Sequence, residues 1–272
     1  MNRVFVLGDI HGDFKPIRDF ATYMNSTYDE KKKIDPSDTM ILLGDAGLNF
    51  FFNHRDTEIK KKLGKYNLTY FVIRGNHEQR PEILAEQNPD GWAVETYFGG
   101  PVWVEKEFPY IKYAADFVSV YYIHGHKTLV IPGAYSVDKW HRLQNGWSWF
   151  EQEQLNPQEM LAGEQLALMD HYDIVLSHTC PIQYEPTDLF LGCVDQTMVD
   201  KSMERWMGKL ERQMDYKLWL FGHYHQYRVV VDNVLGGDVM MLFNDIALDL
   251  DEYFKENSPY LASIEFHSSR RN

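Results

Sequence analysis

Val4-Phe5-Val6-Leu7-Gly8-Asp9-Ile10-His11-Gly12 opens with four consecutive apolar residues and then turns abruptly polar. A short apolar run closed by glycine reads as a buried strand. Two chelating side chains just beyond it place chemistry at the strand's carboxyl end, where ligands of open α/β sheets bind. The pattern recurs along the chain. Met40-Ile41-Leu42-Leu43 leads into Gly44-Asp45, and Tyr70-Phe71-Val72-Ile73 leads through Arg74 into Gly75-Asn76-His77-Glu78. Ile174-Val175-Leu176 leads into Ser177-His178, and Leu218-Trp219-Leu220-Phe221 leads into Gly222-His223-Tyr224-His225.

Between the first three runs lie charged, amphipathic stretches of helical length, 15–28 and 56–66. Strand–helix–strand alternation predicts a largely parallel sheet in an α/β fold. The middle of the chain is richer in strands: 102–104, 117–123 and 127–131 are joined by tight connections, with Gly125 in one turn. This section is expected to form a second sheet. Asn156-Pro157 then starts a helix running to 170, with Asn156 as cap and Pro157 in the first turn. Residues 198–214 predict another helix, and 229–231, 239–242 and 262–266 predict strands. There is no internal repeat, no low-complexity tract and no Pro/Ser/Gly-rich linker. Residues 1–272 therefore read as a single domain of α/β class: two mixed β-sheets packed together and flanked by helices.

Composition narrows the function. A hydrophobic fraction of 44% and a charged fraction of 25% are ordinary for a globular chain with a sizeable core. The formal charge of −13 argues against general nucleic-acid binding, which relies on Lys and Arg neutralising phosphates. Two cysteines, Cys180 and Cys193, make no disulfide framework, so a reducing compartment is expected. The metal-type motif is reached by residue 9, leaving no room for a signal peptide, and no stretch approaches ~20 apolar residues. The expected location is cytoplasmic, away from the membrane.

Each polar cluster has an ordinary reading alone. Gly-Asp after a strand is a common turn, Gly-Asn-His-Glu can cap a helix, and a lone His178 is usually a satisfied histidine. No ordinary reading accounts for all five at successive strand ends. Mixed carboxylate and imidazole donors suit Mn, Fe or Zn, whereas all-oxygen donors suit Mg or Ca. Asp9 and His11 point the same way if their segment stays extended. The same spacing in His223-Tyr224-His225 leaves open whether both rings serve one ion or two.

The order Asp-x-His, Gly-Asp, Gly-Asn-His-Glu, His, Gly-His-x-His resembles the calcineurin-like metallophosphoesterase superfamily, with motifs spanning residues 8–225. The resemblance implies a four-layered α/β sandwich with a dinuclear site. One metal would be held by Asp9, His11 and His225, the other by Asn76, His178 and His223, with Asp45 bridging them and His77 as the catalytic histidine. It implies two divalent metal ions, with manganese expected and Fe or Zn as alternatives. The phosphoprotein-phosphatase branch follows its second Gly-Asp with a Val-Asp-Arg-Gly type sequence. Here Ala46-Gly47-Leu48-Asn49 stands there instead, without the phosphate-gripping arginine. Arg142 and Arg74 are the candidate substitutes, since a guanidinium grips phosphate bidentately.

The expected function is metal-dependent hydrolysis of a phosphate ester, a phosphomonoester or small phosphodiester, by a hydroxide activated between two metals. A protein serine/threonine phosphatase and a nuclease are alternative readings. A non-catalytic metal-binding scaffold is the third, and it conflicts with the complete ligand set.

Overall fold

The computed structural model describes residues 2–26, 29–30, 33–230 and 237–266. The helix expected over 15–28 and the strand expected over 229–231 extend into positions 27, 28 and 231, which lie outside the described residues. In chain order the elements are β1 (Val4–Leu7), α1 (Lys15–Asn25), β2 (Thr39–Leu42), α2 (His54–Leu63), β3 (Thr69–Val72), α3 (Pro81–Gln87), β4 (Trp92–Tyr97), β5 (Gly100–Glu105), β6 (Ile111–Ala114), β7 (Ser119–Ile123) and β8 (His126–Ile131). There follow α4 (Lys139–Gln144), α5 (Pro157–Ala167), β9 (Tyr172–Ser177), α6 (Ser202–Glu211), β10 (Tyr216–Phe221), β11 (Arg228–Val230), β12 (Asp238–Met241), β13 (Ile246–Asp249), α7 (Leu250–Glu256), α8 (Pro259–Ala262) and β14 (Ser263–Glu265).

The strands form two mixed sheets, ordered β14-β13-β1-β2-β3-β6-β5-β4 and β11-β12-β10-β9-β8-β7. β1, β2 and β3 run parallel, with Val4 opposite Thr39 and Thr39 opposite Thr69, so their carboxyl ends share one edge. β8, β9 and β10 are likewise parallel in the second sheet. The strand-rich middle does not form the second sheet by itself, as expected from sequence. β5 and β6 join the first sheet through β6–β3 pairing, and β7 and β8 join the second. Apolar alternation marks a strand but not its partner, so the split was invisible before folding.

Successive strand side chains point to opposite faces, and this divides the core into three clusters. Val4, Val6, Ile41, Phe71, Ile174 and Leu218 pack between the sheets. Phe5, Leu7, Met40 and Tyr70 face outward against Ile17 and Phe20 of α1, Leu63 of α2 and Ala85 of α3. On the far side Leu129, Val175 and Trp219 meet Met203, Trp206, Met207 and Leu210 of α6, with Ala167 of α5. The layers are helix, sheet, sheet, helix. Both strand faces are buried, which is why the strands read as continuous apolar runs. Both helix faces follow the i, i+3, i+4, i+7 spacing: Ile17, Phe20, Ala21, Met24 on α1 and Met203, Trp206, Met207, Leu210 on α6. Asn156 caps α5 as expected, accepting from the N–H groups of Gln158 and Glu159, while Glu159 returns the bond.

Candidate metal centre

Loops leave β1, β2 and β3 in one sheet and β9 and β10 in the other, and the five meet where the sheets adjoin. Hydrogen bonds join them across that seam. His178 Nδ1 lies 2.7 Å from the Leu43 carbonyl, the His223 N–H donates to Asp9 Oδ1 at 2.9 Å, and the His77 N–H donates to Asp45 Oδ1 at 2.8 Å. Glycine is needed where these loops touch. A Cβ at Gly44, whose φ is +95°, would lie 2.2 Å from His178 Nδ1, and one at Gly75 would lie 2.0 Å from Asp45 Oδ1.

Four of the residues expected as ligands are themselves left-handed: His11 (φ 46°), Asp45 (47°), His223 (71°) and His225 (56°). Such backbone costs on the order of 1–3 kcal/mol per residue and concentrates at functional sites. The condition under which Asp9 and His11 point the same way, an extended segment, is not met at His11. A left-handed turn at His11 brings the two side chains together instead.

Candidate ligand atoms of Asp9, His11 and His225 all lie within 4.8 Å of one another, as do those of Asp9, Asp45 and His178. His11 Nε2 and His225 Nε2 are 2.7 Å apart. The ring of His223 instead packs edge-on against His178, with centroids 4.9 Å apart, so the two rings of His223-x-His225 part company. Asn76 completes that side, its Oδ1 2.9 Å from His178 Nε2. Asn76 Nδ2 donates to Ser136 Oγ at 3.0 Å, which turns Oδ1 toward the centre. With its proton on Nδ1 facing Leu43, His178 presents Nε2 as an acceptor. Two acceptors at that distance repel unless positive charge lies with them.

The electrostatics agree. Asp9 and Asp45 are 0% and 2% exposed, and among the described residues no Lys or Arg pairs with either. Burial raises the Asp45 carboxyl, but His178, His77 and His11 outweigh it and hold it well below the usual carboxylate range. Burial pushes His223 down to about 3, so its imidazole is neutral and able to donate its lone pair. Buried carboxylates need a compensating cation, and carboxylate, amide and neutral imidazole donors fit a divalent transition metal.

His77 sits beside this cluster, its Nε2 3.9 Å from Asp45 Oδ2. Arg142 Nη2 donates to that Nε2 at 2.8 Å, and Phe50 stacks on the ring at 5.6 Å. Arg142 is fully buried from bulk solvent and also donates to Asp138 Oδ1 at 2.8 Å and Ser136 Oγ at 2.8 Å. Ser136 is thus a junction: its Oγ accepts from Asn76 and Arg142 and donates to Glu153 Oε2. A cavity of about 580 Å³ opens here, walled by His11, His77, Arg142, Phe50, Phe51 and Trp147.

Arg74 is corrected. Its guanidinium is buried away from this cavity, donating to the Glu153 carbonyl at 2.7 Å and lying 3.4 Å from Asp116. It braces the segment carrying Glu153. Glu78 does not cap a helix, since α3 starts at Pro81 with Arg80 before it. Its carboxyl accepts from the N–H groups of Gly47 and Gly75, tying the second and third loops together, and burial beside Asp45 pushes it up to about 8. His141 is exposed and packs on Trp147. Sequence reasoning missed Ser136, Glu153, Phe50 and Trp147. Ser136 lies shortly before Arg142 in the chain and carried a weak signal; Glu153 arrives from a later segment and carried none.

No curated protein sequence matches this chain. Among solved structures it is similar to TT1561 of Thermus thermophilus, at 15% identity and a TM-score of 0.52, over 98% of this chain and 99% of that one. It is also similar to a dimetal phosphatase from Danio rerio, at 9% identity and a TM-score of 0.45, over 91% and 95% of the two chains. The first likeness shows the same fold. Residues 2–227 match the calcineurin-like phosphoesterase model, which takes in all five loops of the centre. With that match over most of its length, the chain belongs to the calcineurin-like phosphoesterase family.

Proposed function

We propose that the chain hydrolyses phosphomonoesters or small phosphodiesters at a dinuclear centre. The observation that carries this is the convergence of buried Asp9 and Asp45 with His11, His178 and His225, with no Lys or Arg among the described residues paired to either carboxylate. Asp9, His11 and His225 would hold one metal, Asn76, His178 and His223 the other, and Asp45 both. Bound divalent cations, for which manganese is the first choice and Fe or Zn the alternatives, supply a Lewis acid at the phosphoryl oxygens and acidify water.

The chain's own groups do the rest. Arg142 binds phosphoryl oxygens from the cavity wall, and Asp138 and Ser136 keep its planar fork in place. His77, whose Nε2 accepts from Arg142, passes a proton to the leaving oxygen once substrate takes over that guanidinium, or hydrogen-bonds a phosphoryl oxygen. The absent arginine after Asp45 favours small esters over folded phosphoproteins as substrates. Pairing of β13 with β1 supports one domain across residues 1–272. The free Cys180 and Cys193 support a cytoplasmic setting, and among the described residues no helix is long and apolar enough to cross a membrane.

The test is turnover of nitrophenyl phosphate, its bis-ester, a cyclic nucleotide and a phosphopeptide by manganese-loaded protein. Turnover of the small esters is expected. Dominant hydrolysis of the phosphopeptide would instead favour the protein phosphatase, and cutting of DNA alone the nuclease.

A further inference from the structure

Beside the centre, the 580 Å³ cavity is of small-molecule size. Its wall next to His77 and Arg142 is aromatic: Phe50, Phe51 and Trp147. Phe50 and Phe51 meet edge to face at 4.9 Å, and Phe50 also packs on the buried Phe150, so neighbouring rings back this wall. Trp147 comes from the loop after α4, next to left-handed Gly146, and is 57% exposed. A tryptophan so exposed at the rim of a cavity offers a large flat surface to a ligand. Arg55, exposed on the first turn of α2, also lines the cavity, with its guanidinium over the Phe51 ring at 5.0 Å. Among the described residues no carboxylate pairs with Arg55. Asp138 lines the same cavity but pairs with Arg142, which leaves Arg55 as the cavity's arginine without a carboxylate partner among the described residues, on a chain of formal charge −13.

We infer that this cavity is a subsite for the leaving group of the ester, and that it selects an aromatic ring carrying a further negative charge, the chemistry of a nucleotide. This rests on the hydrolase reading given above. In the reaction the oxygen of water bonds to phosphorus, the P–O bond to the alcohol breaks, and a proton passes to the departing oxygen. The departing alcohol lies on the His77 side, where the aromatic wall begins. The ring stacks on Trp147 and the Phe50–Phe51 wall, and Arg55 pairs with the second anionic group. Stacking of a base on an aromatic side chain is sequence-tolerant, so the subsite selects a ring rather than one base.

The test compares kcat/KM of the manganese-loaded protein on ethyl phosphate, phenyl phosphate, adenosine 5′-monophosphate and adenosine 3′,5′-bisphosphate. Trp147→Ala is expected to cost the two aromatic-bearing classes about tenfold more than it costs ethyl phosphate, within the range one stacking contact supplies. Trp147→Phe, which keeps a ring, recovers most of that loss. Arg55→Ala is expected to cost the bisphosphate more than the monophosphate. An equal loss across ethyl, phenyl and adenosine esters would overturn the subsite. If the wild-type protein hydrolyses none of these esters, the hydrolase reading fails, and calorimetry then decides the subsite separately. Adenosine 5′-monophosphate binding more tightly than inorganic phosphate, with the difference lost in Trp147→Ala, supports it; equal affinities refute it.

Discussion

Removing one hydroxyl should weaken one metal site and spare the other. Ser136 Oγ makes three contacts: it accepts from Asn76 Nδ2 at 3.0 Å and Arg142 Nη2 at 2.8 Å, and donates to Glu153. In Ser136→Ala, Arg142 keeps Asp138 and His77, and Glu153 keeps the Ser136 backbone N–H at 2.9 Å. Asn76 loses the bond that fixes which end of its amide faces the centre. Leaving a buried donor unmet costs about 1–3 kcal/mol. Loss of a partner that orients a metal ligand typically costs about 10–100-fold in metal affinity, which is about 1.4–2.7 kcal/mol. The two figures agree, so the effect on binding should be of this size. Calorimetric titration of metal-free protein with Mn²⁺ reads it. The ion assigned to Asn76, His178 and His223 should weaken by that factor, while the ion assigned to Asp9, His11 and His225 should not. Ser136→Thr, which keeps the hydroxyl, should behave as wild type. Equal weakening of both ions, or of neither, would refute the role given to Asn76.

Asp45→Asn should lower both metal equivalents and turnover together, read by elemental analysis and a nitrophenyl phosphate assay; two retained metals with normal turnover would remove Asp45 as the bridge. His77→Ala should keep both metals and lose about 10²–10⁴-fold in kcat on alkyl phosphates. A much smaller loss on nitrophenyl phosphate identifies a proton donor, and an equal loss identifies a phosphoryl-oxygen contact. Glu204 is 4% exposed, its Oε2 lacks a hydrogen-bond partner, and burial raises its pKa to about 7. The folded state therefore binds the proton more tightly than the unfolded state, so this group's contribution to stability falls as pH rises from about 4.5 to about 7. Glu204→Gln should accordingly gain on wild type in denaturant titrations as pH rises through that window and hold the gain above it. A stability difference independent of pH would contradict the assignment.

Most of the strands, the parallel run of β1, β2 and β3, and the placing of the candidate ligands just after strands were legible in the chain itself. Buried strands carry continuous apolar runs, and metal-type residues followed each run directly, so local pattern and chemistry pointed the same way. The cap at Asn156 was legible for the same reason, since its partners lie within three residues. β4, β6 and β13 went unread. β4 exposes much of one face, and the short β6 and β13 take their strand character from neighbours distant in sequence. Only the folded chain decided that β5 and β6 belong to the first sheet, that His11, Asp45, His223 and His225 adopt left-handed backbone, and that the two rings of His223-x-His225 go to different sides. It also decided that Arg142 reaches His77 while Arg74 turns inward, and that Glu153 meets Ser136 beneath Asn76. These outcomes depend on contacts between residues far apart in the chain. A residue's type limits which bonds it can make, but where the sheets adjoin decides which of those bonds form.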